Sequence, residues 1–476
     1  MTATADIGAI SAKPVSPAAT AGGTPPMSAR TRRLLQGAIV PTILSLAWPN
    51  VLMMMAQAST GLIETWWVSH LGTDALTGMA LVFPGYMMMA MLSGGAFGGG
   101  IASAISRALG AGRRDHADAL VLHALLINLA LGVVSSAIFL IFGREIYAAM
   151  GGRGGSLDAA VAYSNIVFAG NVLLWVMNAL ASIIRGTGNM MLPSLAVLAS
   201  VILLVPLSPL LIFGFGIVPA MGIAGGGLAI VVTTVIAIAV LAWYLLSGRC
   251  VVRLRHTSLR WPFFSDILRV GAIGAVSSLQ TSLTIVLITA LVGAAAGPAA
   301  IAGYGTGARL EYLLIPLTFG IGAPLVALVG TNIGAGQRER ALRIALTGGA
   351  IAFVAAEIVG VAGALWPVPW LTMFGSDPEM LASGASYLRF VGPTYGFFGL
   401  GLSLYFASQG AGRLAWPLIA GLVRMIVATA GGWIVLRTTG SLSAMFAVVA
   451  LAVVAYGATL VTAVASGVWF RSAARG

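Results

Sequence analysis

Uninterrupted apolar stretches of about 20 residues or more recur along the whole chain. They constrain the fold more than any other feature; residues 119–142, 192–213 and 341–365 are examples. Backbone N–H and C=O groups cannot stay unpaired in hydrocarbon, so such stretches cross a bilayer as helices or as strands of a closed barrel. Barrel strands alternate in polarity over about ten residues. These runs are longer and continuously apolar, which selects helices. Charged residues make up only 8% of the 476 residues, against about 25% in soluble domains. A lipid-facing surface demands that depletion; a buried core does not.

The spacing predicts twelve helices, at 41–69, 76–105, 118–142, 157–183, 190–213, 222–247, 266–293, 300–329, 341–366, 382–408, 414–437 and 442–470. Basic residues test the count, because they concentrate on the cytoplasmic side of membrane proteins. With both ends on that side, the inner side with its helix ends holds 19 of the 25 Lys and Arg, the outer side 3 (Arg144, Arg153, Arg437), and the span interiors 3 (Arg309, Arg389, Arg424). The formal net charge of +12 therefore reads as membrane orientation in an inner, cell-limiting membrane and not as a nucleic-acid surface. A single cysteine, Cys250, excludes an internal disulfide. The leading residues are rich in Ala, Ser, Thr, Pro and Gly; they lack the apolar core of a secretory signal and predict a disordered cytoplasmic tail over 1–40. The lobes that follow are 41–248 and 266–470, joined by a basic cytoplasmic linker at 249–265 and closed by a short tail at 471–476.

The two halves match at an offset of 224 residues. Leu109-Gly110-Ala111-Gly112-Arg113-Arg114 pairs with Ile333-Gly334-Ala335-Gly336-Gln337-Arg338, Tyr163 with Tyr387, and Gly186, Gly188 and Pro193 with Gly410, Gly412 and Pro417. Six helices return the chain to its starting side, so the repeats are parallel, related by an axis along the membrane normal. Two similar lobes with a cleft between them suit alternating access, a design that a channel does not need.

These landmarks also resemble the multidrug and toxic compound extrusion (MATE) family. The first helix opens Leu46-Ala47-Trp48-Pro49 and ends Ile63-Glu64-Thr65-Trp66-Trp67-Val68-Ser69-His70-Leu71-Gly72. Val329-Gly330-Thr331-Asn332-Ile333-Gly334-Ala335-Gly336-Gln337 and Arg185-Gly186-Thr187-Gly188-Asn189 are similar to two further motifs of that family. The likeness extends from about residue 41 to the end of the last helix. It implies a V-shaped pair of six-helix bundles that exports cationic or amphipathic small molecules against inward H⁺ or Na⁺. Members of the wider superfamily instead flip lipid-linked sugars.

Antiport needs a group that holds either a cation or the substrate, and an intramembrane carboxylate is suited to it. Asn50, Gln57, Gly61 and Glu64 share one face of the first helix at spacings of 7, 4 and 3, which makes Glu64 the candidate coupling residue and Gln57 a cavity residue. The competing reading is an outer-end carboxylate reaching interfacial water; the family's usual acid here is Asp. Asn171, Trp175, Asn178 and Ser182 form a second stripe, which either lines a cavity with Glu64 or supplies helix–helix hydrogen bonds. In the second lobe Gln280 and Thr281 lie on the face of Ser277 and Thr284. A sodium-coupled branch of the family carries a glutamate near Gln280 and an aspartate in the tenth helix, where this chain has apolar residues around Phe398. Both departures favour H⁺ over Na⁺. Arg309, Glu311 and Tyr312 complete the candidate lining; Arg309 and Glu311 are two residues apart and do not face each other, so each requires a partner elsewhere. Glu357 and Arg424 are lone charges read as helix-pairing residues, and His123 as a packing residue. With no cluster of His, Asp or Cys inside the spans, a membrane-embedded enzyme is disfavoured. No catalytic residue, metal or cofactor is expected beyond the coupling ion. The expected partners are a small-molecule substrate and the bilayer, with the protein acting as a monomer.

Overall fold

The computed structural model describes residues 28–471, apart from the side chains of Tyr312 and Arg471. The expected tail up to residue 27 and the last five residues lie outside them. The described chain is helical throughout. A short helix α1 (Ala29–Gln36) precedes the spans. The first lobe holds α2 (Ile39–Ser69), α3 (Thr73–Gly110), α4 (Arg114–Ala149), α5 (Gly154–Ala169) with α6 (Asn171–Gly186), α7 (Met191–Phe213) and α8 (Ile223–Leu246). The second holds α9 (261–296) and α10 (298–334), which meet at Gly297, then α11 (Arg338–Leu365), a short α12 (Pro367–Leu371), α13 (Pro378–Val391) with α14 (Tyr395–Gly410), α15 (Ala415–Thr439), α16 (Leu442–Ala465) and a terminal turn α17 (Val468–Arg471). Taking α5–α6 and α13–α14 as one broken crossing each, the described residues cross twelve times, six per lobe.

Two expectations change. The tail predicted over 1–40 is not irregular after residue 28: Ser28 caps α1 by accepting from the Thr31 N–H at 3.1 Å, and Leu34 and Leu35 are buried. Two spans predicted as continuous are broken. α5 and α6 bend by 42° at Gly170, and a 3-10 turn at Gly392–Thr394 separates α13 from α14. Pro393 offers no N–H to continue the ladder there. At Gly297 the backbone takes φ 77°, a conformation glycine reaches at little cost, and Pro298 then starts α10.

The repeat is visible in the backbone. Gly112 and Gly336, Gly188 and Gly412, and Gly216 and Gly440, each pair 224 apart, all take left-handed φ between 61° and 81°. The lobes also touch through equivalent residues. A Cβ on Gly110 would overlap the Thr331 carbonyl, and one on Gly334 would overlap the Arg107 carbonyl; Arg107 and Thr331 are themselves 224 apart. The pseudo-twofold axis therefore passes between the C-terminal ends of α3 and α10.

That junction lies on the arginine-rich face. Arg107 pairs with Asp266 of the other lobe at 2.6 Å, and Ser103 donates to the Gly410 carbonyl at 3.0 Å. The Asn332 amide donates to the Leu34 carbonyl at 3.1 Å, carrying α1 beneath the second lobe. The linker is pinned to α4: the Arg253 N–H donates to Asp118 at 2.8 Å and the Arg260 N–H to His123 Nε2 at 3.1 Å. Cys250 is buried in it, and burial pushes its thiol pKa up.

Candidate functional site

Glu64 lies in the last turns of α2, and only 7% of it is exposed. It faces Ser208 of α7, and Tyr86 of α3 and Tyr163 of α5 lie within reach of its charge. Its Oε1 has no hydrogen-bond partner. Among the described residues it forms no ion pair. An ionised carboxylate with no counter-charge is costly in a low-dielectric interior, so this position favours an arriving proton or cation.

The rest of the α2 face divides by depth. Asn50 is buried and accepts from Ser194 of α7 at 2.8 Å. Gln57, two turns further, is exposed, and at Gly61 an added Cβ would meet nothing within 4 Å. α2 is thus sealed against α7 at Asn50 and Glu64 and open between them.

The second stripe belongs to helix packing. Asn171 turns to α4, donating to Ser135 at 2.8 Å. Trp175 is buried between Gly132 of α4 and Phe97 of α3, with 5.9 Å between the two ring centroids. Asn178 donates to Ser93 at 2.8 Å. The spacing of 4 and 3 places these groups on one seam, and the cavity role expected for Asn171, Trp175 and Asn178 gives way to hydrogen bonds and packing that tie α6 to α3 and α4. Polar pairing of this kind is the usual glue between helices in lipid.

In the second lobe Gln280 packs against Gly421 of α15 and its Nε2 is buried without a partner. Thr281 is exposed and bonds only its own helix, to the Ser277 carbonyl at 3.0 Å. Arg309 is exposed and lies over the Phe374 ring at 5.2 Å. Glu311 faces Arg424 of α15 at 3.6 Å and accepts from the Tyr387 hydroxyl at 3.3 Å. Arg424 also lies 5.5 Å from the Phe398 ring and 5.8 Å from that of Tyr456. Glu357 accepts from the Gly396 N–H at 2.7 Å, at the start of the broken helix α14, where a negative charge complements the helix dipole. The side chain of Tyr312 lies outside the described residues.

Two features close the seam between lobes that spacing does not single out. Residues Met91–Phe97 form a π-helical turn, which releases carbonyls from the ordinary ladder. Gln409, fully buried in the other lobe, donates to two of them, at Gly95 (3.1 Å) and Ala96 (3.3 Å). The one sequence hint is the glycine run around residues 94–100, through which the partner helix approaches. Among the described residues no three His, Cys, Asp or Glu side chains gather as a metal site.

A family model described as MatE matches residues 49–210 and 272–434, one segment in each lobe. The chain belongs to the MATE family. Among MATE relatives it is 26% identical over 403 residues to the FAD transporter of Shewanella oneidensis, covering 83% of this chain and 87% of that protein. It is also 26% identical to the probable multidrug resistance protein NorM of Thermotoga maritima, over 79% of this chain and 81% of that one. The fold matches a crystal structure of MATE in the bent conformation with a TM-score of 0.85 and 25% identity, covering 94% of this chain and 98% of that one. The protein is thus a membrane-spanning MATE transporter with twelve helices in two lobes.

Proposed function

We propose that this transporter is a secondary antiporter that exports cationic or amphipathic small molecules in exchange for H⁺, acting as a monomer in the cell membrane with both ends cytoplasmic. The carrying observation is Glu64, a buried carboxylate with an unpartnered oxygen and no counter-ion among the described residues. The lobes are joined at the arginine-rich face, which suits a cycle in which the opposite side opens. A proton from that side neutralises Glu64 and loosens its hold on a cation; release of the proton inside restores it. H⁺ is favoured over Na⁺ because one titratable group suffices for a proton, and Glu311 of the second lobe already holds Arg424.

The name of the Shewanella relative adds a second substrate class, an anionic flavin dinucleotide, to be assayed beside organic cations. The test is substrate efflux in proteoliposomes under an imposed pH gradient or an imposed Na⁺ gradient. Transport of an organic cation that follows the pH gradient supports the proposal. Transport that follows only Na⁺, or of the dinucleotide alone, overturns it.

A further inference from the structure

The elbow between α10 and α11 borders a groove of about 530 Å³, lined by Ile39 of α2, elbow residues 336–340 and Arg343. Three arginines converge there, and none is held by a close carboxylate. Arg338 lies over the Phe470 ring at 5.2 Å. Arg340 donates one Nη to the Gly37 carbonyl, while its Nε is buried without a partner. Arg343 meets Glu339 only at 4.0 Å, both side chains being largely exposed. Such a surface pair is worth little and leaves Arg343 free to take another anion. α11 begins at this point without a side-chain cap, and its first residues Arg338, Glu339 and Arg340 line the groove.

The repeat supplies an internal control. The residues 224 positions before Arg338, Arg340 and Arg343 are Arg114, His116 and Ala119. His116 packs edge-on against Phe263 at 5.5 Å and Ala119 is buried. The same elbow in lobe one holds two arginines, Arg113 and Arg114, where the second holds three.

We infer that the second elbow binds the phosphate headgroup of an anionic phospholipid. Arginine clusters at the inner ends of membrane helices recognise such headgroups, and the guanidinium fork matches phosphate oxygens. A lipid is favoured over free phosphate because Val40 and Leu44, next to Ile39 on α2, are exposed apolar side chains at 45% and 49%; they offer an acyl chain a track beside the headgroup. Gly37 and Ile39 lead into lobe one while α11 belongs to lobe two, so the headgroup touches both lobes.

The test uses the full-length protein in a zwitterionic detergent, titrated with phosphatidylglycerol while the thermal midpoint is read, with phosphatidylcholine and inorganic phosphate as separate arms. Phosphatidylglycerol alone raises the midpoint of the native protein and of Arg114→Gln. Arg343→Gln, at an exposed position that folding does not need, requires about fivefold more lipid for the same rise, and Arg338→Gln/Arg343→Gln more again. Identical titrations for native protein and both elbow variants overturn the inference. So does an equal rise with inorganic phosphate, which would assign the site to a free anion.

Discussion

The two lobes share a scaffold but treat an intramembrane carboxylate in opposite ways. Tyr163 and Tyr387, 224 residues apart, each lie beside one. In lobe one it is Glu64, on the first helix, with no counter-ion among the described residues. In lobe two it is Glu311, on the second helix, with Arg424 at 3.6 Å and the Tyr387 hydroxyl at 3.3 Å. The repeat does not place these acids at equivalent positions: Ile288 stands where Glu64 would recur, and Ser200 where Arg424 would precede. Duplication thus preserved elbows and tyrosines while charge was distributed independently. A carboxylate without a counter-charge can change state when a proton or cation arrives. One with a built-in guanidinium is already compensated and serves to hold helices together.

The contrast breaks most decisively at Glu64. Glu64→Gln is expected to reduce efflux driven by a pH gradient to the level of protein-free liposomes, whereas Glu64→Asp retains a pH-dependent rate; pH-driven efflux persisting in the Gln variant would remove Glu64 from coupling. In lobe two the larger effect is on stability. Arg424→Met leaves Glu311 uncompensated and is expected to cost about 3 kcal/mol, seen as a lower thermal midpoint. Adding Glu311→Gln should recover most of that loss, and a single variant as stable as the native protein would show that the pair is not structural. Between the lobes, Asp266→Asn removes the partner of Arg107. The bridge is partly exposed and worth roughly 1 kcal/mol, so maleimide labelling of Ala102→Cys at the seam should rise about fivefold. The smallest effect concerns Cys250, whose thiol burial pushes up. Its own labelling should need a higher pH than the value of about 8.5 at which a free thiol is half ionised, and Cys250→Ser should leave transport unchanged.

Much of the architecture was legible because lipid allows few solutions. Apolar length gave the helices, the arginine bias fixed their alternation, and Gly110, Gly112, Gly334 and Gly336 marked the repeat; two of them, Gly110 and Gly334, form the contact between lobes. Glu64 stood out as an acid on an apolar helix. The stripe of Asn171, Trp175 and Asn178 left two readings open, because a polar helix face looks the same in sequence whether it meets a cavity or another helix. Glu311 and Arg424 lie 113 positions apart, and no local pattern couples them. The helix at Ala29–Gln36 was missed because its stability comes from burying Leu34 and Leu35, Leu34 in a core shared with the second lobe, and not from its own eight residues.

By itself the sequence determined that this chain crosses a membrane twelve times in two parallel repeats, since hydrophobic length and charge bias act along the chain, one segment at a time. Only the tertiary structure decided which acid has a counter-charge and which has none, on which face the lobes join, and where helices break. Those outcomes depend on which side chains from distant helices reach each other in a medium that penalises every unpaired charge, and that is a property of packing in three dimensions.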